Sequence, residues 1–177
     1  VAILAITALM ASAIIAIVIL SALLVTAMRA RAEAERQQAE AEGLIEFIET
    51  TIFGLINKIS TEESSGVKQV RAMIAMLLDF AQTNRGMTRV LIGDALVNEN
   101  ERLQERMNQL FERIEASIKQ SFKVAVGEKE LPESFDPGAR AALVLAFVLG
   151  RWHRFAKSGF RKTPAEGLEV QMPALVG

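Results

Sequence analysis

Residues 1 to 28 contain no charged side chain, and Thr7, Ser12, Ser21 and Thr26 are their only hydroxyl residues; no other feature of the chain constrains its folding as tightly. A run of about 20 or more apolar residues is long enough to cross the hydrocarbon of a bilayer as a helix, because a helix satisfies its own backbone hydrogen bonds there. Arg29 and Arg31 follow, as on the cytoplasmic flank of a spanning segment. Taken alone, the run reads as a transmembrane helix; the other physical state open to it is a hydrophobic helix buried in a protein core. The continuation RARAEAERQQAEAE, residues 29 to 42, is rich in helix formers and lacks an apolar face, so it reads as a solvated helix or linker.

From Gly43 the pattern changes to that of amphipathic helices with start and stop signals. Leu44, Ile45, Phe47, Ile48, Ile52, Leu55 and Ile56 predict a helix that ends near Lys58, and TEESSG at 61 to 66 is a turn. Val70, Met73, Ile74, Leu77, Leu78 and Phe80 predict a second helix over 67 to 83, broken by Asn84-Arg85-Gly86. A short helix over 87 to 92 follows. The longest is expected from about Asp94 to Val126, with Leu96, Leu103, Met107, Leu110, Ile114, Ile118 and Phe122 as its buried stripe. After the polar loop GEKELPESFDP, Asp136 is placed to cap and Pro137 to open a helix reaching about Ser158. Gly159 suits the end of that helix, and Thr163-Pro164-Ala165-Glu166 has capping-box spacing for a final short one.

The expected class is therefore all-α, with residues 1–42 set apart from a helical domain over 43–177. The helix from 138 is apolar nearly all round over 141 to 149, more than one core can cover. A second copy would cover the remainder with two-fold symmetry, so a homodimer is expected through Ala142, Leu143, Leu145, Ala146, Leu149 and Trp152.

Charge and chemistry exclude much. Removing the three Arg and four Glu of residues 1–42 from the totals of 20 and 21 leaves 17 basic and 17 acidic residues, a balance that argues against binding nucleic acid by bulk electrostatics. The chain has no Cys and one histidine, His153, beside Trp152 and among Arg151, Arg154, Lys157, Arg161 and Lys162. A lone histidine supplies neither an ordinary zinc site nor a catalytic triad, and cations at a helix C-terminus account for the cluster. The pairs Glu46 with Glu49 and Glu112 with Glu115 read as solvated helix faces, and no glycine loop cradles a phosphate. No enzyme activity, cofactor or metal is expected.

Four segments carry a family resemblance: GLIEFIETTIFGLINKI at 43 to 59, NRGMTRVLIGDAL at 84 to 96, NERLQERMNQLFERIEASIKQ at 100 to 120, and ALVLAFVLGRWHRFAKSGFRKTP at 142 to 164. Together they resemble the C-terminal part of TetR-type regulators, and among these the nucleoid occlusion factor family, over about three quarters of the chain. The resemblance implies a TetR-like helical domain dimerising through its C-terminal helices, in a cytoplasmic, nucleoid-associated protein. It further implies DNA binding through an N-terminal helix-turn-helix, expected within 1–42, and inhibition of septum assembly by engaging the C-terminal tail of the tubulin-like division protein FtsZ. Residues 1–42 lack the family's helix-turn-helix pattern, so DNA binding rests on the resemblance alone.

The family's FtsZ-binding groove maps here onto Phe47, Leu55, Met76, Asp79, Phe80, Thr83 and Asn84. Phe47, Phe80 and Asn84 agree with the family pattern. Leu55 and Thr83 stand where arginines are expected, and Asp79 where a glycine is, which lowers electrostatic complementarity to an acidic tail. Two alternatives lead to different tests. A ligand-responsive TetR-type repressor would hold an apolar ligand against Met73, Met76, Met107 and phenylalanines; a membrane-anchored helical dimer would depend on residues 1–28.

Overall fold

The computed structural model describes residues 2–93 and 100–177, with side chains described at 10, 12–93 and 100–177. The described residues form helices α1 (Ala2–Glu62), α2 (Gly66–Thr83), α3 (Arg85–Leu91), α4 (Glu101–Gly127), α5 (Pro137–Lys157) and α6 (Leu168–Val176). The class is all-α.

The chain divides into two units, Val1–Glu40 and Ala41–Gly177. The first is helical throughout its described length, without the turn that a helix-turn-helix needs, so the DNA-reading module expected within 1–42 is not formed by residues 2–40. Within this unit Met10, Ile14, Ile17, Leu20, Leu23 and Leu24 are each 59–68% exposed.

The second unit owns the core. Ile45, Ile48, Ile52 and Ile56 supply α1's buried stripe, and they join Val70, Met73, Ile74, Leu77 and Leu78 of α2 in one cluster. Leu103, Met107, Leu110, Ile114, Ile118 and Phe122 extend the cluster along α4, at the three- and four-residue spacing that puts side chains on one helix face. α2 lies against both α4 and α5, and α6 closes over α2 and α5. Trp152 of α5 is fully buried, and its indole Nε1 donates to Leu77 O at 3.0 Å. Close approach at one end of the layer depends on Gly66, where a Cβ would stand 2.3 Å from Ala125 N and Ser121 O.

Helix ends show where local signals prevail. Asp136 accepts from Gly138 N at 2.8 Å and Ala139 N at 3.1 Å, with Pro137 in the first turn of α5 as its fixed φ favours. Gly159 adopts φ +66 after α5. The long helix begins later than its apolar periodicity suggests, because Asn100 is extended and its side chain accepts from Arg102 N and Leu103 N. Asp94 to Glu99, including Leu96, lie outside the described residues. α1 runs on past Lys58 to Glu62. The Thr163 capping box does not start a helix: residues 164 to 167 are turn, and α6 begins at Leu168 after left-handed Gly167 (φ +71). Glu166 instead reaches Arg154 at 3.6 Å.

Candidate functional site

On α1, the stripe next to the buried isoleucines carries Phe47, Thr51 and Leu55, four residues apart and thus stacked along one face. On α2, Met76, Asp79, Phe80 and Thr83 recur at three- and four-residue intervals, and Asn84 ends the helix. These eight residues line one open groove of about 420 Å³ between the two helices, within the second unit. All seven groove positions named from the sequence fall in it. Thr51 is the eighth; its place midway between Phe47 and Leu55 was the signal that could have found it.

The groove has an apolar floor and a polar rim. Phe80 is nearly buried at 6% and forms the floor, while Phe47 at 54% and Leu55 at 38% stand out from the wall. Half-buried Met76 adds an unbranched, polarisable side chain that adapts to different occupants. Asp79 and Thr83 are exposed. Asn84 Nδ2 donates to Phe80 O at 2.9 Å, alongside the Asn84 backbone N–H, so this residue ties off the end of α2 as well as lining the groove. The last turn of α2 has no basic residue. With Leu55 and Thr83 uncharged, the groove presents the Asp79 carboxylate and the C-terminus of α2, both electronegative.

Helix α5 carries the positions expected at a dimer interface. Ala142, Leu143 (51%) and Ala146 are exposed on α5 and Leu149 is half-buried, so these four present an outer face. Leu145, at 7%, and Trp152, at 0%, belong to the protomer's own core. The apolar run 141 to 149 is thus divided between an inner side (Ala141, Val144, Leu145, Val148) and an outer one, and Trp152 falls on the inner side.

Other sequence candidates have structural employment. Arg151 is buried, hydrogen-bonds Gln171 and sits over Phe147, while the guanidinium groups of Arg85 and Arg89 lie 5.9 and 5.4 Å from the Phe160 ring centre. His153 is exposed beside a cleft of about 170 Å³ lined by Leu91, Met107, Phe111 and Leu149. Met73 is in the core, where Ser121 Oγ lies 3.9 Å from its sulfur. Glu49 is no solvated face residue: its carboxylate receives Arg106 Nη2 at 2.9 Å and Nε at 3.4 Å. That hydrogen bond, with the charges of Glu49, Glu46 and Glu42, holds the Arg106 guanidinium above its ordinary pKa against an opposing effect of burial. Among the described residues no cluster of His, Asp and Glu is placed to hold a metal.

Known proteins resemble this domain. Residues 64–177 match a SlmA-like family described as tetracyclin repressor-like, C-terminal domain. Proteins named nucleoid occlusion factor SlmA are 40% identical over 130 residues in Idiomarina loihiensis (73% of this chain, 66% of that protein) and 44% over 132 residues in Vibrio cholerae (72% and 65%). A third, from Alteromonas mediterranea, is 40% identical over 137 residues (75% and 68%). The chain spans about two thirds of the length of the relatives it matches. With an all-helical domain built around the matched residues, the chain belongs to the SlmA-like family of tetracyclin repressor-like C-terminal domains.

Proposed function

We propose that this chain regulates cell division in the manner of a nucleoid occlusion factor, its domain over 41–177 forming a homodimer and holding the C-terminal tail of FtsZ in the α1–α2 groove. The observation that carries this reading is the convergence of Phe47, Leu55, Met76, Asp79, Phe80, Thr83 and Asn84 on one open, apolar-floored groove. A half-exposed phenylalanine beside a methionine and a second, buried phenylalanine suits an apolar peptide side chain, and covering each large apolar group contributes about 1–3 kcal/mol. The relatives' shared name supports the division role; it is theirs, and comes to this chain as part of the proposal. DNA binding belongs to the nucleoid occlusion reading by resemblance alone.

Dimerisation rests on α5. Ala142, Ala146 and Gly150 are exposed at four-residue spacing, and Leu143 stands beside them. Small residues in this register let two helices approach closely, with Leu143 packing across the two-fold. The ligand-responsive repressor has weaker support because its expected lining is scattered: Met73 is in the core, Met107 lines a cleft of about 170 Å³, below the roughly 300–1,000 Å³ of ordinary ligand pockets, and Met76 lies in the open α1–α2 groove.

The test is a fluorescence-polarisation titration of a labelled FtsZ tail peptide against the full chain in mild detergent. Saturable binding is expected, weakened at least tenfold by Phe47→Ala with helicity unchanged. Equal affinity for Phe47→Ala would remove the groove from the proposal.

A further inference from the structure

Helix α1 begins with a surface that water does not suit. Nineteen positions, 10 to 28, include Met10, Ile14, Ile15, Ile17, Val18, Ile19, Leu20, Leu23, Leu24, Val25 and Met28 as large apolar residues at 45–68% exposure. Exposure on every side of the helix distinguishes this segment from an amphipathic helix, which would leave one polar face toward water. The most apolar stretch of the described helix has a mean hydropathy of 2.4 and none of it is buried.

We propose that residues 1 to 28 form a bilayer-spanning anchor that displays the domain over 41–177 on the cytoplasmic face of a membrane, with lipid hydrocarbon as the occupant of the apolar exterior. Four observations commit the surface to lipid. The uncharged run of 28 residues extends about 42 Å as a helix, against a hydrocarbon core of about 30 Å, so it crosses with length to spare. It also exceeds the roughly 7–15 apolar residues of a cleavable secretory signal. Two of its hydroxyls bond within the helix, Ser21 Oγ donating to Val18 O at 2.9 Å and Thr26 Oγ1 to Leu23 O at 2.8 Å, as hydrocarbon requires. Finally, Arg29, Arg31 and Arg36 follow at once, matching anionic headgroups and fixing the C-terminal side as cytoplasmic. The intervening acidic residues, Glu33 and Glu35 among them, weigh little in that rule. The anchor occupies the place in the chain where the resemblance puts a DNA-reading module, so membrane attachment would localise the partner-binding domain in this chain. It does not depend on the groove's occupant.

The test uses the full chain expressed in a bacterial host. It should remain in the membrane pellet through an alkaline carbonate wash, leave it only with detergent, and show by intact mass that residues 1 to 28 are retained. Protease added to spheroplasts should spare the domain, and protease added to inverted vesicles should digest it. Ile17→Arg combined with Leu20→Arg alters two lipid-facing positions outside the 41–177 core and should move most of the chain to the soluble fraction with peptide affinity unchanged. Release of the unaltered chain by carbonate, loss of residues 1 to 28 by cleavage, or digestion of the domain in spheroplasts would each overturn the proposal. So would a double-arginine chain that stays as firmly in the membrane. Peptide affinity in detergent is read separately, so failure of the anchor leaves the groove reading standing.

Discussion

A methyl group at Gly66 would meet the backbone of α4 at 2.3 Å, with two main-chain atoms that cannot rotate away. Gly66→Ala is therefore expected to cost about 2 kcal/mol or more, as overpacking between backbones does, seen as a lower urea midpoint with an unchanged slope. The same helix start draws on distant chain: Glu130 Oε2 accepts from Val67 N at 2.8 Å and from Ser65 Oγ at 3.0 Å. The Asp136–Pro137 start was legible because cap and helix are neighbours in sequence; Glu130's part was not, since 63 residues separate it from Val67. Arg106 and Glu49 show a related limit, for helical spacing places Glu49 beside Glu46 and says nothing of an arginine on another helix. Arg106→Ala should lower stability by about 1–2 kcal/mol, the range of a partly buried charge-assisted hydrogen bond. Because the folded state raises the Arg106 pKa, the pair's contribution is present across neutral pH and is lost only as alkali rises through the raised value.

Elements explain why the groove could be located but not weighed from sequence. Period 3.6 divides residues 44 to 56 into a buried isoleucine stripe and the adjacent Phe47–Thr51–Leu55 stripe, yet both are apolar, and only packing decides which one α2 and α4 cover. The reverse holds for α5, where nearly continuous apolarity gives no phase and leaves Trp152 among the residues expected to face outward; its hydrogen bond to Leu77 O fixes it inside. The turn at 164 to 167 is another local signal outcompeted, here by left-handed Gly167 and the Arg154 contact of Glu166. At the groove, charge substitutions test how the occupant is held. Leu55→Arg with Thr83→Arg should tighten binding of the acidic tail roughly tenfold at low salt, since each new cation faces the peptide and the one on α2 also complements that helix's C-terminus. The unaltered chain should bind the acidic tail somewhat more tightly from dilute to physiological buffer, because salt screens the repulsion between the tail and Asp79.

For the whole molecule, the class and the helices α1 to α5 of the 41–177 domain followed from periodicity and punctuation, whereas the start of α6 at Leu168 did not; the fate of residues 1 to 28 could not follow either, because a buried helix and a spanning helix share one composition. The proposed dimer rests on the outer side of α5, where Leu143 is 51% exposed. Leu143→Glu places two like charges near the proposed two-fold axis and should convert dimer to monomer in sedimentation equilibrium of the detergent-solubilised chain, leaving the helical spectrum unchanged. Leu145→Ala is the contrasting substitution: nearly buried at 7%, it should lower stability by about 2–4 kcal/mol. The central claim, that the α1–α2 groove receives the FtsZ tail, is tested most directly by methyl NMR of the methionine-labelled full chain during peptide titration. The account predicts that the Met76 methyl, half-exposed in the groove, shifts saturably while the buried Met73 and Met107 methyls stay in place; a silent Met76 with the peptide bound, or a response led by Met107, would contradict it.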